Sequence, residues 1–537
     1  MSLRYSRPTA ETYSPPLTIR HLLDSGPQVF AGQEIVYRDQ VRMTYADLRG
    51  RIGRLAAMLA ALGVGEGTTV AMLDWDSHRY LEALFAVPMM GAVLQTANIR
   101  LSREQLRYTL QDAGAEVLLV HRDFLSLIDG LRADLPGVRM IVALMDGCDD
   151  AVPVWCAGEY EMLLGEADPG WTFVDFDENA LATTFYTSGT TGLPKPVCFS
   201  HRQLVLHTLA VAAAFGTATG PGLRSDHVYM PLTPMFHVHA WGLPYAATML
   251  GLKQVYPGKY APDVILELRR REGVSFSHCV PTVLQMVIDA ADGGGERLDG
   301  WHLVIGGSAL TTELHDEAIV RGAFITAGYG MSETGPVIAI GRAGSSQGLW
   351  PIPLVSAQVV DTAMNPVPAD DVSKGELVLR APWLTPCYPG DETASAALWR
   401  GGWLHTQDIA TITPDGAIRV RDRLKDVIKT GGEWICSLTL EDLIVARSDV
   451  AEVAVVGVPH PKWQERPVAV IVPAAGRLPM LEDVRETLAV AVEDGRISRL
   501  ALVDAVVCVD TLPRTALGKI DKKAIRERLA NDASGSA

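Results

Sequence analysis

The first third of the chain alternates between two hydrophobic spacings, one typical of helices and one typical of short buried strands. Leucine and isoleucine recur every three or four residues from Leu48 to Leu62, after the polar pair Thr44 and Asp47 and before Gly63. This spacing predicts an amphipathic helix with a capping pair at its start and a glycine stop. Short apolar runs that predict buried strands stand at 70–73, 116–120, 140–144 and 303–305. The alternation predicts an α/β fold in which helices cover a layered sheet.

A second pattern begins near residues 423–427. Before it, Pro414, Asp415 and Gly416 separate two apolar runs between Trp403 and Val420, which is typical of a turn between strands. After it, apolar runs at 453–456 and 468–472 predict strands, and the stretch 481–492 predicts a helix. We therefore expect a large domain of residues 1–424 and a small C-terminal domain of residues 425–537.

Composition and charge narrow the class of protein. The 537 residues are 48% hydrophobic and 20% charged, as in ordinary folded proteins. The longest apolar run, residues 84–94, is short and contains Pro88 and Gly91, so no membrane span is predicted. A net charge of −16 argues against nucleic acid as a partner. Seven scattered cysteines without CxxC spacing, and a start without an apolar signal segment, favour a reducing cytoplasmic location.

One loop carries a strong chemical signal. Small and hydroxyl-bearing residues precede Pro194 and Lys195, namely Thr187, Ser188, Gly189, Thr190, Thr191 and Gly192. Glycines allow close approach of the backbone to a ligand, and successive N–H groups form a site for anions. The loop differs from a Walker A motif, since no Gly-Lys pair followed by Ser or Thr stands at the required spacing. The segment therefore predicts a phosphate-binding loop of another kind.

This segment resembles the phosphate loop of the adenylate-forming (ANL) superfamily, which includes acyl-CoA synthetases, and whose pattern is roughly TSGTTGxPKGV. Pro196 stands where the family has glycine. Further resemblances follow in family order over nearly the whole chain. In MPLTPMFHVHAWG, His237 resembles the residue at the carboxylate end of the acyl site, and Trp241 resembles the gating tryptophan of fatty acyl-CoA synthetases.

Two glycine-containing segments resemble the adenine and phosphate sites of the family. VIGGSAL implies that Gly306 lines the acyl pocket and that Gly307 and Ser308 bind the nucleotide. AGYGMSETG implies adenine stacking by Tyr329, α-phosphate binding by the Ser332 hydroxyl and Mg²⁺ binding by Glu333, which is also a catalytic candidate together with His237. In the same segment, Gly328 is implied in nucleotide binding and Gly330 in the acyl pocket.

The last third resembles the remaining family motifs. GWLHTQDI implies that Asp408 binds both ribose hydroxyls, although Gln407 replaces the usual glycine. The resemblance further implies a set of nucleotide, hinge, tunnel and catalytic residues: Val420 and Arg423 at the nucleotide, Lys425 at the hinge, Gly431 and Gly432 in the tunnel for CoA, and Lys519 as the catalytic lysine of LPRTALGKI.

The resemblance implies an acyl-CoA synthetase fold, with a large layered α/β domain and a small mobile α+β domain. It implies an acid–thiol ligase that activates a hydrophobic carboxylic acid with ATP and Mg²⁺ and transfers the acyl group to coenzyme A. Because Pro196 and Gln407 depart from the pattern, a chain that mainly converts acyl-AMP supplied by a partner enzyme stays open. Two other functions also stay open, namely an enzyme that loads a carrier protein and a catalytically silent acyl- or nucleotide-binding protein. Whether the chain forms a homodimer stays open as well.

Overall fold

The computed structural model describes residues 4, 6, 9–148, 150–187, 193–217, 222–341, 348–431, 433–474, 477–514 and 520–534. The described residues form two compact units. The first contains those within 1–186, 196–216 and 223–277, and the second contains those within 187–195, 217–222 and 278–537. Both units mix strands and helices, so the α/β prediction is confirmed. The domain boundary at residue 425 stays a prediction.

The strands of the first unit are short. They are β1 (Glu34–Tyr37), β2 (Val41–Thr44), β3 (Thr69–Leu73), β4 (Val93–Thr96), β5 (Ala115–His121), β6 (Met140–Leu144), β7 (Gly158–Glu159), β8 (Leu181–Thr187), β9 (Lys195–Ser200), β10 (Val228–Pro231) and β11 (Lys253–Tyr256). Two residues at strand ends, Thr187 at the end of β8 and Lys195 at the start of β9, belong to the second unit. One sheet has the order β7-β6-β5-β3-β4-β8-β9, with parallel pairing from β7 to β8. In a second sheet, β1 pairs antiparallel with β2 and parallel with β11, which pairs parallel with β10.

The helices of the first unit alternate with these strands along the sequence, and the last residue of the seventh helix belongs to the second unit. They are α1 (Arg20–Phe30), α2 (Tyr45–Ala61), α3 (His78–Met89), α4 (Arg103–Asp112), α5 (Arg122–Leu131), α6 (Tyr160–Glu166), α7 (His201–Thr217), α8 (Val238–Trp241), α9 (Leu243–Met249) and α10 (Pro262–Glu272), with a 3₁₀ turn at Arg132–Asp134. The predicted helix is α2. The Thr44 side chain accepts a hydrogen bond from the N–H of Asp47, and the Asp47 carboxylate accepts one from the N–H of Thr44. Gly63 follows with φ of 82°.

The longest segment of the second unit, residues 278–537, begins within β12 (Phe276–Cys279). Its further strands are β13 (His302–Ile305), β14 (Phe324–Tyr329), β15 (Ala339–Gly341), β16 (Leu349–Pro351), β17 (Ser356–Val360), β18 (Gly375–Arg380), β19 (Trp399–Arg400), β20 (Trp403–Ile412), β21 (Ile418–Arg423), β22 (Ile428–Thr430), β23 (Glu433–Ile435), β24 (Val450–His460), β25 (Gln464–Pro473) and β26 (Ala505–Cys508). Strands β13 and β14 pair in parallel, and antiparallel pairs continue from β14 through β15, β16, β21, β20 and β18 to β17.

The helices of the second unit are α11 (Pro281–Gly294), α12 (Thr312–Val320), α13 (Glu392–Leu398), α14 (Ser437–Val445), α15 (Leu481–Glu493) and α16 (Lys522–Ser534), with 3₁₀ turns at Ser332–Thr334 and Arg499–Ala501. The C-terminal strands form their own sheet of order β23-β22-β25-β24, to which β26 adds in parallel with β25. A separate apolar core that includes Ile428, Leu440, Val455 and Leu488 lies beside this sheet. Among the described residues, no helix is both long and apolar enough to cross a bilayer.

Candidate active site

A buried carboxylate, a tyrosine and an arginine meet where β14 ends and β20 pairs with β21. The pairing register places Asp408 opposite Arg423. The Nε atom of Arg423 lies 2.8 Å from one carboxylate oxygen of Asp408, and the Tyr329 hydroxyl donates to the other oxygen at 2.5 Å. Asp408 is 1% exposed. Burial and the neighbouring carboxylate hold the pKa of Tyr329 well above its usual value, so the phenol stays protonated as a donor.

A second group of polar side chains surrounds Glu333, which lies in the 3₁₀ turn directly after β14. The Tyr388 hydroxyl donates to Glu333 at 2.6 Å, and the N–H of Thr385 donates to the Glu333 backbone carbonyl at 2.9 Å. The Lys195 ammonium group lies 5.1 Å from the centre of the Tyr388 ring and 3.2 Å from a carboxylate oxygen of Asp391. One tyrosine therefore joins the buried carboxylate to the lysine of the predicted phosphate loop.

The Asp408 group and the Glu333 group interact electrostatically, since the charge of Arg423 acts on Glu333. Burial raises the pKa of Glu333, while the Tyr388 hydrogen bond and the charges of Arg423 and Lys195 lower it, and the net change is upward. The ionised carboxylate is therefore only partly compensated by its neighbours. A further positive charge beside Glu333 would stabilise the ionised form.

The predicted glycine turns lie at the ends of β13 and β14. Gly306 is buried, whereas Gly307, with φ of 83°, and Ser308 are exposed. At Gly330, an added Cβ would lie 2.9 Å from the Cα of Pro336, so the close approach of these two segments requires glycine. A Cβ at Gly328 would lie 3.2 Å from the Val304 side chain. Close packing, besides any contact with a ligand, thus accounts for part of the glycine pattern.

The two departures from the family pattern differ in their structural consequences. Gln407 has φ of 58°, a left-handed conformation in which glycine is unstrained, and its side chain is exposed. Its backbone N–H donates to Glu376 at 3.1 Å, and its carbonyl accepts from Leu424 at 2.8 Å. Backbone conformation therefore gives a physical reason for the family's glycine at this position. Pro196 is the half-buried second residue of β9, where a proline offers no N–H.

The predicted acyl-site residues of the first unit stand at the two ends of a left-handed turn. His237 is half-buried, and its N–H donates to the Pro234 carbonyl at 2.8 Å. The buried segment Val238–Trp241, given above as the single turn α8, is left-handed, with φ angles of 49°, 53°, 47° and 60°, and Gly242 follows with 73°. A left-handed backbone costs roughly 1–2 kcal/mol per residue with a side chain. The turn therefore carries strain on the order of 4–8 kcal/mol, which the surrounding packing must offset.

The other predicted residues are placed as follows. Thr187 ends β8, Ser332 opens the 3₁₀ turn and is half-buried, and Val420 lies half-buried in β21 opposite Ala410. Lys425 is exposed just after β21. Gly431 has φ of 58°, and an added Cβ there would lie 2.8 Å from Leu500 and 3.3 Å from Trp463. The loop residues 188–192, Gly432 and Lys519 lie outside the described residues.

The sequence predictions missed Tyr388 and Asp391. Both belong to the segment that leads into α13, where the Asp391 side chain caps the helix by accepting a hydrogen bond from the N–H of Ala394 at 2.8 Å. The cap could have been predicted from the Asp-Glu-Thr sequence before an alanine-rich stretch. The contact of Tyr388 with Glu333 joins residues 55 positions apart, so no local pattern signals it.

Two family models match the chain. The model described as AMP-binding enzyme matches residues 25–389, and the model described as AMP-binding enzyme C-terminal domain matches residues 439–519. The chain is 42% identical to the long-chain-fatty-acid–CoA ligase of Thermus thermophilus over 97% of both chains. It is 36% identical to the 3-methylmercaptopropionyl-CoA ligase of Ruegeria pomeroyi, over 91% of this chain and 92% of that one.

Solved structures show the same fold. The anthranilate CoA ligase AuaEII in complex with anthranoyl-AMP superposes with a TM-score of 0.85 at 23% identity, covering 96% of this chain and 98% of that one. ATP-bound MatB from Rhodopseudomonas palustris gives a TM-score of 0.80 at 24% identity, covering 96% and 99%. The predicted acyl-CoA synthetase branch of the adenylate-forming superfamily is confirmed by the family models and the relatives. With one model matching most of its length and relatives covered almost completely, the chain belongs to the AMP-binding enzyme family.

Proposed function

We propose that this enzyme joins a hydrophobic carboxylic acid to coenzyme A in two steps. In the first step, a carboxylate oxygen of the acid attacks the α-phosphorus of ATP, and pyrophosphate leaves with its electron pair. In the second, the sulfur of CoA attacks the acyl carbonyl, its proton is lost, and AMP leaves. The acid is activated because a phosphate ester leaves far more readily than oxide would.

The observation that carries the proposal is the arrangement around Asp408 and Glu333. Asp408 is a buried acceptor held by Tyr329 and Arg423, which suits two ribose hydroxyls as further donors. Lys195 stands beside Glu333 through Tyr388, which suits the phosphates of the same nucleotide. We assign adenine stacking to Tyr329 and α-phosphate contact to the Ser332 hydroxyl. Thr187 and the loop residues 188–192 would bind the remaining phosphate oxygens.

Mg²⁺ fits the donors that this site offers. Mg²⁺ is commonly held by one or two carboxylates together with the phosphates of its substrate. Glu333 provides one buried carboxylate whose raised pKa reports incompletely compensated charge. It would hold the ion with the nucleotide, and the ion would supply positive charge to the phosphate oxygens. Lys195 and Lys519 would act on the same oxygens as fixed charges, and Lys519 need not transfer a proton.

We assign the acyl site to His237, Trp241, Gly306 and Gly330. Trp241 is an apolar side chain at the end of a buried turn, which favours a hydrophobic acid. The printed names of two relatives, a long-chain and a medium-chain fatty-acid–CoA ligase, support the same substrate class.

Movement of a small C-terminal domain belongs to the same proposal. We place the boundary at residue 425, with Lys425 as the hinge and with Gly431 and Gly432 lining the path of the CoA arm. One orientation would present Lys519 for adenylation, and the other would present the glycine loop for thioester formation. We place the enzyme in the cytoplasm, and size-exclusion chromatography with light scattering would decide between a monomer and a homodimer.

CoA is preferred over a carrier protein as the acyl acceptor because the relatives named above are CoA ligases. The same comparison favours the complete reaction over dependence on acyl-adenylate from a partner enzyme. The exposed side chain of Gln407 agrees with that preference, since it does not crowd a buried site. Pro196 remains the departure that could weaken the ATP half-reaction through a missing N–H donor.

The test is an activity panel read by mass spectrometry. The enzyme is incubated with ATP, Mg²⁺, CoA and fatty acids of increasing length, and acyl-CoA, AMP and pyrophosphate are measured. We expect all three products in equal amounts. Pyrophosphate without CoA, and acyl-CoA from synthetic acyl-adenylate, report the two half-reactions separately. Absence of acyl-CoA from every acid, together with transfer from synthetic adenylate, would replace the proposal with the supplied-adenylate alternative.

A matched pair of variants tests the ribose assignment. Asp408→Asn removes the charge of a buried aspartate paired with an arginine of β21, and Asp371→Asn removes the charge of a half-buried aspartate beside Arg419 and Arg421 of that strand. A hydrogen bond to a charged group contributes about 1.5–3 kcal/mol, so the KM for ATP should rise roughly 10- to 150-fold in Asp408→Asn. The Asp371→Asn enzyme should keep the parent KM. An unchanged KM in Asp408→Asn would contradict the assignment.

A further inference from the structure

A buried carboxyl group that the reaction above does not use lies against the segment of His237 and Trp241. Asp76 follows β3 and is 3% exposed. One of its oxygens accepts a hydrogen bond from the backbone N–H of Met235 at 2.8 Å, and the other accepts one from the Tyr260 hydroxyl at 2.5 Å. Its backbone carbonyl also accepts from the N–H of Gly258 at 2.9 Å. One residue therefore holds two other segments of the first unit in place.

A second contact fixes the next residue of the same segment. The hydroxyl of Thr96, which is buried at the end of β4, donates to the Phe236 carbonyl at 3.1 Å. The backbone of Met235 and of Phe236 is thus held by two buried side chains. His237 comes next, and the left-handed turn starts one residue later at Val238.

The position of these contacts matters because the turn is strained. Non-glycine residues keep a left-handed backbone only where their surroundings over-determine it. The hydrogen bonds to Met235 and Phe236 fix the direction in which the chain enters the turn. If the entry shifts, the turn can relax, and His237 at its start and Trp241 at its end move together.

We propose that Asp76, oriented by Tyr260, is a positioning residue for the turn that carries His237 and Trp241, and thereby helps to determine which acids the enzyme accepts. The inference rests on the acyl-binding role proposed above for these two residues. Asp76 acts through the Met235 backbone, and it is not assigned any contact with substrate.

The chain offers a matched control for the Tyr260 hydroxyl. The Tyr160 hydroxyl donates to the buried carboxylate of Glu82 at 2.5 Å, in the same unit and with the same kind of bond. Tyr260→Phe and Tyr160→Phe therefore each remove one hydroxyl donor from a buried carboxyl group, and Glu82 differs from Asp76 in being paired also with Arg51. Only the first change touches the carboxyl that holds Met235. A general loss of stability should be similar in the two variants, whereas a positioning effect should appear in one.

The first experiment measures kcat and KM for butyrate, octanoate and dodecanoate in the parent and in four variants. A misplacement of about 1 Å can cost roughly 100-fold in rate. We therefore expect Asp76→Ala and Tyr260→Phe to change the ratio of kcat/KM between the longest and shortest acids by about tenfold or more. Asp76→Asn, which keeps an oxygen acceptor for the Met235 N–H, should stay closest to the parent ratio, and Tyr160→Phe should retain it.

The inference is overturned if Asp76→Ala and Tyr260→Phe keep the parent ratio, or if Tyr160→Phe changes it equally. The second experiment needs no activity. Hydrogen–deuterium exchange of peptides that cover residues 233–243 should accelerate in Asp76→Ala and Tyr260→Phe but not in Tyr160→Phe. Accelerated exchange with an unchanged acid profile would disprove the role in selectivity while leaving the ligase assignment intact. If the parent enzyme is inactive with every acid, but exchange of residues 233–243 still accelerates in Asp76→Ala and Tyr260→Phe, the result counts against the proposed function instead.

Discussion

Replacing Asp76 by asparagine should change how the stability of the enzyme depends on pH. Burial raises the pKa of the Asp76 carboxyl from 3.8 to about 7, with a further upward contribution from Asp74. The hydrogen bonds from Tyr260 and Met235, and the charge of Arg100, act in the opposite direction. The Asp76 charge also acts on three buried tyrosines, Tyr80, Tyr229 and Tyr256. Their own pKa values are raised well above the usual range, so they stay neutral while Asp76 titrates.

The sign of the effect follows from proton linkage. In the unfolded chain the Asp76 carboxyl loses its proton near pH 3.8, whereas in the folded chain it keeps the proton until about pH 7. Its contribution to stability is therefore fully present below pH 3.8 and is lost as pH rises through 7. A shift of three pKa units corresponds to roughly 4 kcal/mol as an upper bound, at about 1.36 kcal/mol for each unit.

The assay is urea-induced unfolding at several pH values across this window, followed by tryptophan fluorescence. Asp76→Asn cannot ionise, so the parent should lose stability relative to the variant as pH rises from about 4 to about 7, by up to roughly 4 kcal/mol. Above about pH 7 the difference should level off. Asp39→Asn, which changes an exposed carboxylate, should follow the parent. If Asp76→Asn also follows the parent over the whole window, the carboxyl ionises alike in both states and the reasoning is refuted.

Three further changes test other parts of the proposal. Gln407→Gly should raise the free energy of unfolding by about 1 kcal/mol or less, because it removes left-handed strain from the folded state but adds entropy to the unfolded chain. Urea unfolding of the variant and the parent measures this difference, and a loss of stability would contradict the prediction. Lys519→Ala should abolish pyrophosphate release from acid and ATP while sparing thioester formation from synthetic acyl-adenylate, and equal loss of both half-reactions would count against its role. Trp241→Ala should lower the free energy of unfolding by roughly 3–5 kcal/mol, because a large buried side chain becomes small. It should also alter the preferred acid length, and an unchanged length profile would assign Trp241 to packing alone.

The elements that the sequence predicts correctly are those whose signals are local. Thr44 and Asp47 form both hydrogen bonds of the capping pair because the residues that make them are three apart. The hairpin of β20 and β21 forms around a turn in which Gly416 has φ of 86°. That hairpin then brings Asp408 opposite Arg423, so two predicted nucleotide residues meet through backbone register.

The features that the sequence did not predict depend on contacts between distant segments. No spacing rule connects Glu333 with Tyr388, or Asp76 with Met235 and Tyr260. The left-handed turn opposes the intrinsic preference of each of its residues, so propensity predicts against it. Glycine is a poor helix former, so propensity also predicts against helix at Gly293 and Gly294. Helix α11 instead continues to Gly294 and ends at Gly295, whose φ of 64° closes the helix.

The charges of the site indicate how an acidic protein can bind a triphosphate. At physiological ionic strength, charges more than about 8 Å apart are largely screened, so the local groups matter more than the net charge of −16. Lys195 lies beside Asp391, Arg423 lies beside Asp408, and Glu333 adds a third carboxylate. These five groups together carry one excess negative charge when all are ionised. Nucleotide binding therefore requires further positive charge, which the proposal assigns to the divalent cation and Lys519. Affinity for ATP should consequently fall steeply when Mg²⁺ is chelated, whereas affinity for AMP, with fewer phosphates to neutralise, should fall much less.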